Sequence, residues 1–210
     1  MNILKKILKT NFLEKKAREN FKIDQDLILL NIISSIVAVF GLKINSVYIL
    51  IGSMLISPFF DPIISSMVFF VSKNYKDYFK SLKTLLVLLL TSVLTSLIFW
   101  FLLNSFSQLE NFNYLLPNIS LFDTFIVAVL MGVVGTLLWI WPDASSAGVG
   151  ISIAISLVPP IVNFTAGIVT NQYSVALEHL LILALNILGI FMGAFIVLKI
   201  YFNGEHKEKI

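Results

Sequence analysis

Asp61 is the residue whose position carries the most chemistry. The 210-residue chain has twelve acidic residues, and Asp61 alone lies deep in an apolar stretch. An ionisable group at that depth costs about 3 kcal/mol or more unless it is paired, protonated or hydrated. Pro58 and Pro62 flank it. Proline cannot donate a backbone N–H, so it leaves carbonyl oxygens without their helical partners. In hydrocarbon those oxygens must bond elsewhere or line a cavity. A second proline pair, Pro159 and Pro160, stands in the second half of the chain, with Ser156 and Asn163 beside it. Ser57 adjoins the first pair, and Asn31 and Asn186 would reach the same depth from the first and last apolar stretches. Asp61, Ser57, Ser156, Asn163, Asn31 and Asn186 together would make an oxygen-rich site for an ion or small polar ligand. Plainer roles compete. Asp61 followed by Pro62 has the order of a helix N-cap and a first-position proline. Buried serines and asparagines also serve as ties between helices, worth about 0.6 kcal/mol each on average. Residue types and spacing leave both readings open.

Other reaction machinery is missing. With no cysteine there are no disulfides, thiolate metal sites or cysteine nucleophiles. The two histidines, His179 and His206, are not central to any span, and no zinc-protease helix motif occurs. Gly150-Ile151-Ser152 begins like a serine-nucleophile turn but lacks the glycine that should follow. A lone buried aspartate cannot form an aspartyl pair. No phosphate-binding loop is present, which argues against ATP-driven pumping. The sequence is therefore read as non-enzymatic, without cofactor or metal centre.

The elements that must position these residues are membrane spans. The chain is 58% hydrophobic and 13% charged, with a mean hydropathy of +0.92. A soluble domain is nearer half apolar and about a quarter charged. Crossing roughly 30 Å of hydrocarbon takes about 20 apolar residues. Six stretches qualify, at about Asp26–Leu42, Ser46–Ser72, Leu82–Leu103, Leu121–Trp141, Ala144–Val169 and Val175–Phe202. The expected fold is all-α, with six transmembrane helices of which the second and fifth are broken at prolines. Residues 1–25 lack the pattern of a signal peptide. Ile3, Leu4, Ile7, Leu8 and Phe12 recur at helical spacing with Lys5, Lys6 and Lys9 between them, the pattern of a basic amphipathic helix on an anionic membrane face. Residues 26–202 form the membrane domain and 203–210 a cytoplasmic tail.

Lysine and arginine set the orientation. With six crossings and an internal N-terminus, every one of the fifteen except Lys43 falls on the cytoplasmic side. Both termini are then cytoplasmic. The rule also makes the long second stretch a full crossing. A re-entrant hairpin would put Lys73, Lys76, Lys80 and Lys83 outside. Lys76, Lys80 and Lys83, like Lys5, Lys6 and Lys9, are expected to face anionic headgroups. The bilayer is the expected partner, an oligomer of identical copies is compatible with the chain, and nucleic acid is not expected. Ser120 and Asp123 have the spacing of a capping box, Asp143 that of a helix cap, and Trp139 and Trp141 suit an interfacial aromatic belt. Gly148, Ser152 and Ser156, then Ala128, Gly132 and Thr136, then Gly189 and Gly193 make small-residue faces for close helix packing.

The two proline-bearing stretches share a plan. Each opens on small residues, passes Gly52 or Gly150, reaches its prolines and continues through a polar turn into a long helix. Residues 26–104 and 120–202 read as two three-span units of opposite orientation, an arrangement that recurs in transporters. The segments Ile51–Ile63 (IGSMLISPFFDPI), Gly148–Ile161 (GVGISIAISLVPPI) and Leu183–Ile190 (LALNILGI) resemble the hydrophobic prokaryotic membrane proteins grouped as domain of unknown function 389. The resemblance covers roughly residues 26–202. It implies a prokaryotic cytoplasmic (inner) membrane location and no established activity. Some members carry an additional soluble domain, for which this chain is expected to have no room. The functional expectation is a secondary transporter or channel for an ion or small solute. The alternative is a non-transporting scaffold or lipid-interacting protein whose helix breaks are structural.

Overall fold

The computed structural model describes residues 2–106, 120–141 and 157–203, with side chains from residue 11 to 105 in the first of these segments. The described residues form eight helices and no strand: α1 Asn2–Asn20, α2 Gln25–Lys43, α3 Val47–Ile56, α4 Phe60–Val71, α5 Tyr75–Phe106, α6 Leu121–Ile140, α7 Val158–Val169 and α8 Tyr173–Asn203. Four of them, α2, α5, α6 and α8, are long and apolar enough to cross a bilayer, and α3 with α4 makes a fifth if the bent pair is one span. The described residues are all-helical and have the long apolar helices of a membrane protein. α7 has 12 residues, about 18 Å of helix, too short to cross alone. The rest of the expected fifth stretch, including Ser156 and the face through Gly148 and Ser152, lies outside the described residues, as does its expected cap Asp143.

The break between α3 and α4 has a local cause. Ser57 precedes Pro58, and proline drives the residue before it out of the helical region. Ser57 is accordingly extended, at φ −65° and ψ 127°, and caps α3. The chain turns at Pro58 and Phe59 and restarts at Phe60, with 48° between the two helix axes. Pro62 breaks nothing. It is the third residue of α4, in the first turn, where backbone N–H groups have no helical partner. Pro159 and Pro160 occupy the first turn of α7 in the same way.

α4 and α7 are the innermost helices. Every residue from Pro62 to Phe69 is buried, as are Val158 to Asn163 and Thr165 to Gly167. A helix apolar all round belongs inside a bundle. Both are 12 residues long and both are followed by the same turn. After α4, Asn74 N donates to Phe69 O at 2.9 Å and Lys73 N to Phe70 O at 3.2 Å. After α7, Gln172 N donates to Gly167 O at 2.8 Å and Asn171 N to Ile168 O at 3.2 Å. Lys73 (φ 62°) and Asn171 (φ 57°) take the left-handed position that this helix ending requires. Packing is reciprocal: α4 lies on α5 and α8, α7 lies on α8 and α5, α2 runs along α5 and α6 along α8.

Small residues set the α6–α8 distance. A Cβ at Gly132 would collide with the Ile190 backbone, and one at Gly193 with the carbonyl oxygen of Val129. The faces through Gly132 and through Gly189 and Gly193 are packing surfaces, as their spacing implies. Ser120 is the N-cap of α6 but makes no side-chain cap bond, so the expected capping box is not formed. α5 starts seven residues ahead of its apolar stretch because Asn74 Oδ1 accepts from the Asp77 N–H at 3.4 Å.

Candidate functional site

Asp61 is the second residue of α4 and does not cap it. The N-cap is Phe59, and no side chain completes the cap. The expected N-cap role fails because the helix restarts one residue before Asp61. Instead the carboxylate meets side chains from two distant parts of the chain. Trp139 Nε1 donates to Asp61 Oδ1 at 3.0 Å. Among the described residues this indole is the one hydrogen-bond donor to the carboxylate. Lys16 Nζ lies 4.6 Å above the Trp139 ring and donates to the Trp139 carbonyl at 2.6 Å. Burial pulls the Lys16 ammonium below the usual lysine range, and the Asp61 carboxylate pulls it back up. The result is an indole clamped between a cation on its face and an anion on its edge, each suited to the ring's charge distribution.

The backbone explains how the three residues meet. Leu13, Ala17 and Phe21 are buried, so the apolar face of α1 packs on the bundle, against α4. Phe21 stands edge-on to Phe69 with ring centroids 5.4 Å apart. Arg18 Nε bonds Asp77 Oδ2 at 2.9 Å, and Asn74 Nδ2 bonds Glu14 Oε2 at 3.2 Å. Thr84 Oγ1 donates to Phe21 O at 2.9 Å. These contacts hold α1 across the α4–α5 turn, which brings Lys16 over Trp139. Lys80, expected to face headgroups, bonds Asp77 at 3.1 Å. The side chains of Lys5, Lys6 and Lys9 lie outside the described ones.

The other candidate residues divide. Ser57 Oγ, at the break, is buried and has no hydrogen-bond partner among the described residues. Asn163 is fully buried in α7; its Nδ2 donates to Pro159 O at 3.2 Å, while its Oδ1 has no partner among the described residues. Asn31 is a tie between α2 and α5. Its Nδ2 donates to Leu88 O at 2.9 Å, and its Oδ1 accepts from Ser92 Oγ at 3.0 Å. Asn186 is half-buried on α8, without a side-chain hydrogen bond among the described residues. Ser156 lies outside them.

Three residues escaped the reading of the sequence. Trp139 was assigned to an interfacial belt, yet it is 5% exposed and holds Asp61. Lys16 looked like one of many leader cations. Ser65, buried in α4 with an unpartnered Oγ, had no signal at all.

The family model described as domain of unknown function (DUF389) matches residues 54–192. The chain belongs to this family. An uncharacterised protein of Methanocaldococcus jannaschii is 30% identical over 186 residues, 88% of this chain and 57% of that protein. The chain therefore spans little more than half the length of that relative. No solved structure matches. The DUF389 match takes in Ser57, Asp61, Trp139 and Asn163, whereas Lys16 and Asn31 precede it.

Proposed function

We propose that this DUF389 protein is a secondary transporter or channel for an ion or small solute, without enzymatic activity. In this reading it crosses the cytoplasmic membrane six times as a 3+3 inverted repeat, with both termini inside. Spans two and five are broken, and a cation is the ligand best suited to Asp61. The reciprocal packing of α4 and α7 and their matching turns support the repeat.

One observation carries the functional reading. α4 and α7 start alike, each from an N-cap in the right-handed helical region without a side-chain cap. The same offset that relates Pro62 to Pro160 puts Pro159 where α4 has Asp61. A helix of this kind therefore starts without a carboxylate, and Asp61 is available for something other than its own backbone. Its surroundings suit exchange of cations. Lys16 is a tethered positive charge beside the carboxylate, and Ser57 adds an unused hydroxyl next to the break. A small cation entering from solution would replace the ammonium.

Ion flux and ligand stabilisation in liposomes, across monovalent and divalent cations, test this. Wild type should respond to one cation class, and Asp61→Asn should lose that response while remaining folded. Equal responses in both proteins would sink the assignment. A non-transporting scaffold is the second reading. It is favoured by the closeness of α6 and α8, which the glycines lock together, and it predicts no flux in either protein.

A further inference from the structure

A cleft of about 560 Å³ opens between the α4–α5 turn and the last turns of α8. Lys73 and Lys199 stand on its rim with Asn203, and Phe70, Phe195 and Phe202 form its apolar wall. We propose that this cleft holds the phosphate-bearing headgroup of an anionic phospholipid. This goes beyond the transport reading and does not depend on Asp61.

Charge is the first argument. Among the described residues, no acid lines the cleft. Neither lysine has an ion-pair partner among the described residues. Asp77, the acid next along the chain from Lys73, is already engaged by Arg18 and Lys80. Lys199 Nζ rests 5.4 Å from the centre of the Phe195 ring, which leaves its other donors open. Two ammonium groups and an exposed amide over one cleft match a phosphodiester. Basic pockets between the ends of membrane helices bind such headgroups.

The wall decides between a lipid and a free anion. Phe70 and Phe195 meet at 6.0 Å. Phe70 is 40% exposed, and Ile200, next to Lys199, is 65% exposed. The cleft is continuous with the lipid-facing surface, where a glycerol backbone and the roots of acyl chains would lie. Lys73 follows the C-cap of α4 and Lys199 lies four residues before the end of α8, so both charges sit near helix ends, where headgroups are expected. The same end carries Lys76, Lys80 and Lys83, which raise the local concentration of anionic lipid without forming the site.

The experiment is a lipid titration of the full chain in detergent micelles, read by native mass spectrometry and by melting temperature. Phosphatidylglycerol, phosphatidylcholine and soluble glycerol 3-phosphate are compared. Lys73→Asn gives the turn the residue that Asn171 supplies after α7, so folding should survive. It is combined with Lys199→Gln. Wild type should retain phosphatidylglycerol over phosphatidylcholine, and the double variant should bind it about tenfold more weakly or worse. A Lys76→Gln, Lys83→Gln control should retain it. Equal retention in all three proteins would overturn the proposal. So would a full response to glycerol 3-phosphate, which would make the occupant a free anion. A lysine at a helix C-terminus also offsets the helix dipole. If that is its whole role, the double variant will lose the same stability with and without lipid, and the proposal fails.

Discussion

α4–α5 and α7–α8 are two helix–turn–helix pairs of similar geometry. Their inner helices are equal in length, and their turns use the same pair of hydrogen bonds within about 0.1 Å. What differs is what they carry. A constant offset pairs Asp61 with Pro159, Ser65 with Asn163, Phe69 with Gly167 and Lys73 with Asn171. The second version uses residues that the backbone itself prefers: proline in a first turn, glycine at a close approach, asparagine at positive φ. The first version puts an acid, a phenyl ring and a lysine at those places. Backbone economy explains the second set. The first needs partners, and it has them in Trp139, Phe21 and, as proposed, a lipid headgroup.

The largest expected contrast is at Phe69 and Gly167. Phe69 is fully buried and meets Phe21 beyond α1, so Phe69→Ala should cost about 3–5 kcal/mol and loosen α1. Gly167 has the opposite requirement. A Cβ there would lie 2.8 Å from Ala176 N, and Gly167→Ala should cost about 1–3 kcal/mol through overpacking. Denaturant unfolding in micelles, with protease cleavage at the α1–α2 junction, measures both. The comparison breaks if Phe69→Ala leaves α1 protected.

Next is the Asp61 pair. Trp139→Phe keeps the ring beneath Lys16 and removes the indole donor, which should cost about 1.5–3 kcal/mol for a bond to a charged group. Asp61→Pro is the sharper probe, because it gives α4 the proline pair that opens α7. If the carboxylate serves its side-chain partners and not its backbone, Asp61→Pro and Asp61→Asn should lose stability to within about 1 kcal/mol of each other. A Pro variant that unfolds while the Asn variant stays folded would mean that the two helix starts are not equivalent.

Much of this architecture was legible in the chain. The positions of α2, α5, α6 and α8 follow from run length, and the prolines mark the starts of α4 and α7 because their consequences are local to the backbone. The break at Ser57 is legible because proline acts on its neighbour, while the first-turn role of Pro62 depends on the restart at Phe60. The Asp61 site was legible only in part. Asp61 stands out in any hydropathy reading, but Trp139 is 78 residues away and Lys16 lies 123 residues before Trp139. No periodicity connects such distances. A tryptophan near the end of a span also has an ordinary explanation at the interface, which hid its role. The partners of Asn31 were hidden for a related reason. A buried asparagine is satisfied by whichever helix is near, and α5 supplied both Leu88 O and Ser92.

The smallest effect is the most informative about ligand binding. Ser65 and Asn163 are paired by the offset, and each keeps one buried polar atom without a partner among the described residues. A buried hydroxyl that does nothing is a cost of about 1 kcal/mol or more. Ser65→Ala should therefore leave stability unchanged or raise it by up to about 1 kcal/mol if the hydroxyl is idle. Asn163→Leu should not share that gain, because its Nδ2 bond to Pro159 O is lost. Melting temperatures with and without the cation that stabilises wild type separate the cases. A Ser65→Ala protein that is more stable alone but no longer responds to the cation would put Ser65 in the binding site, one helical turn beyond Asp61. A protein that is more stable and responds as wild type does would confine the site to the break itself, at Asp61 and Ser57.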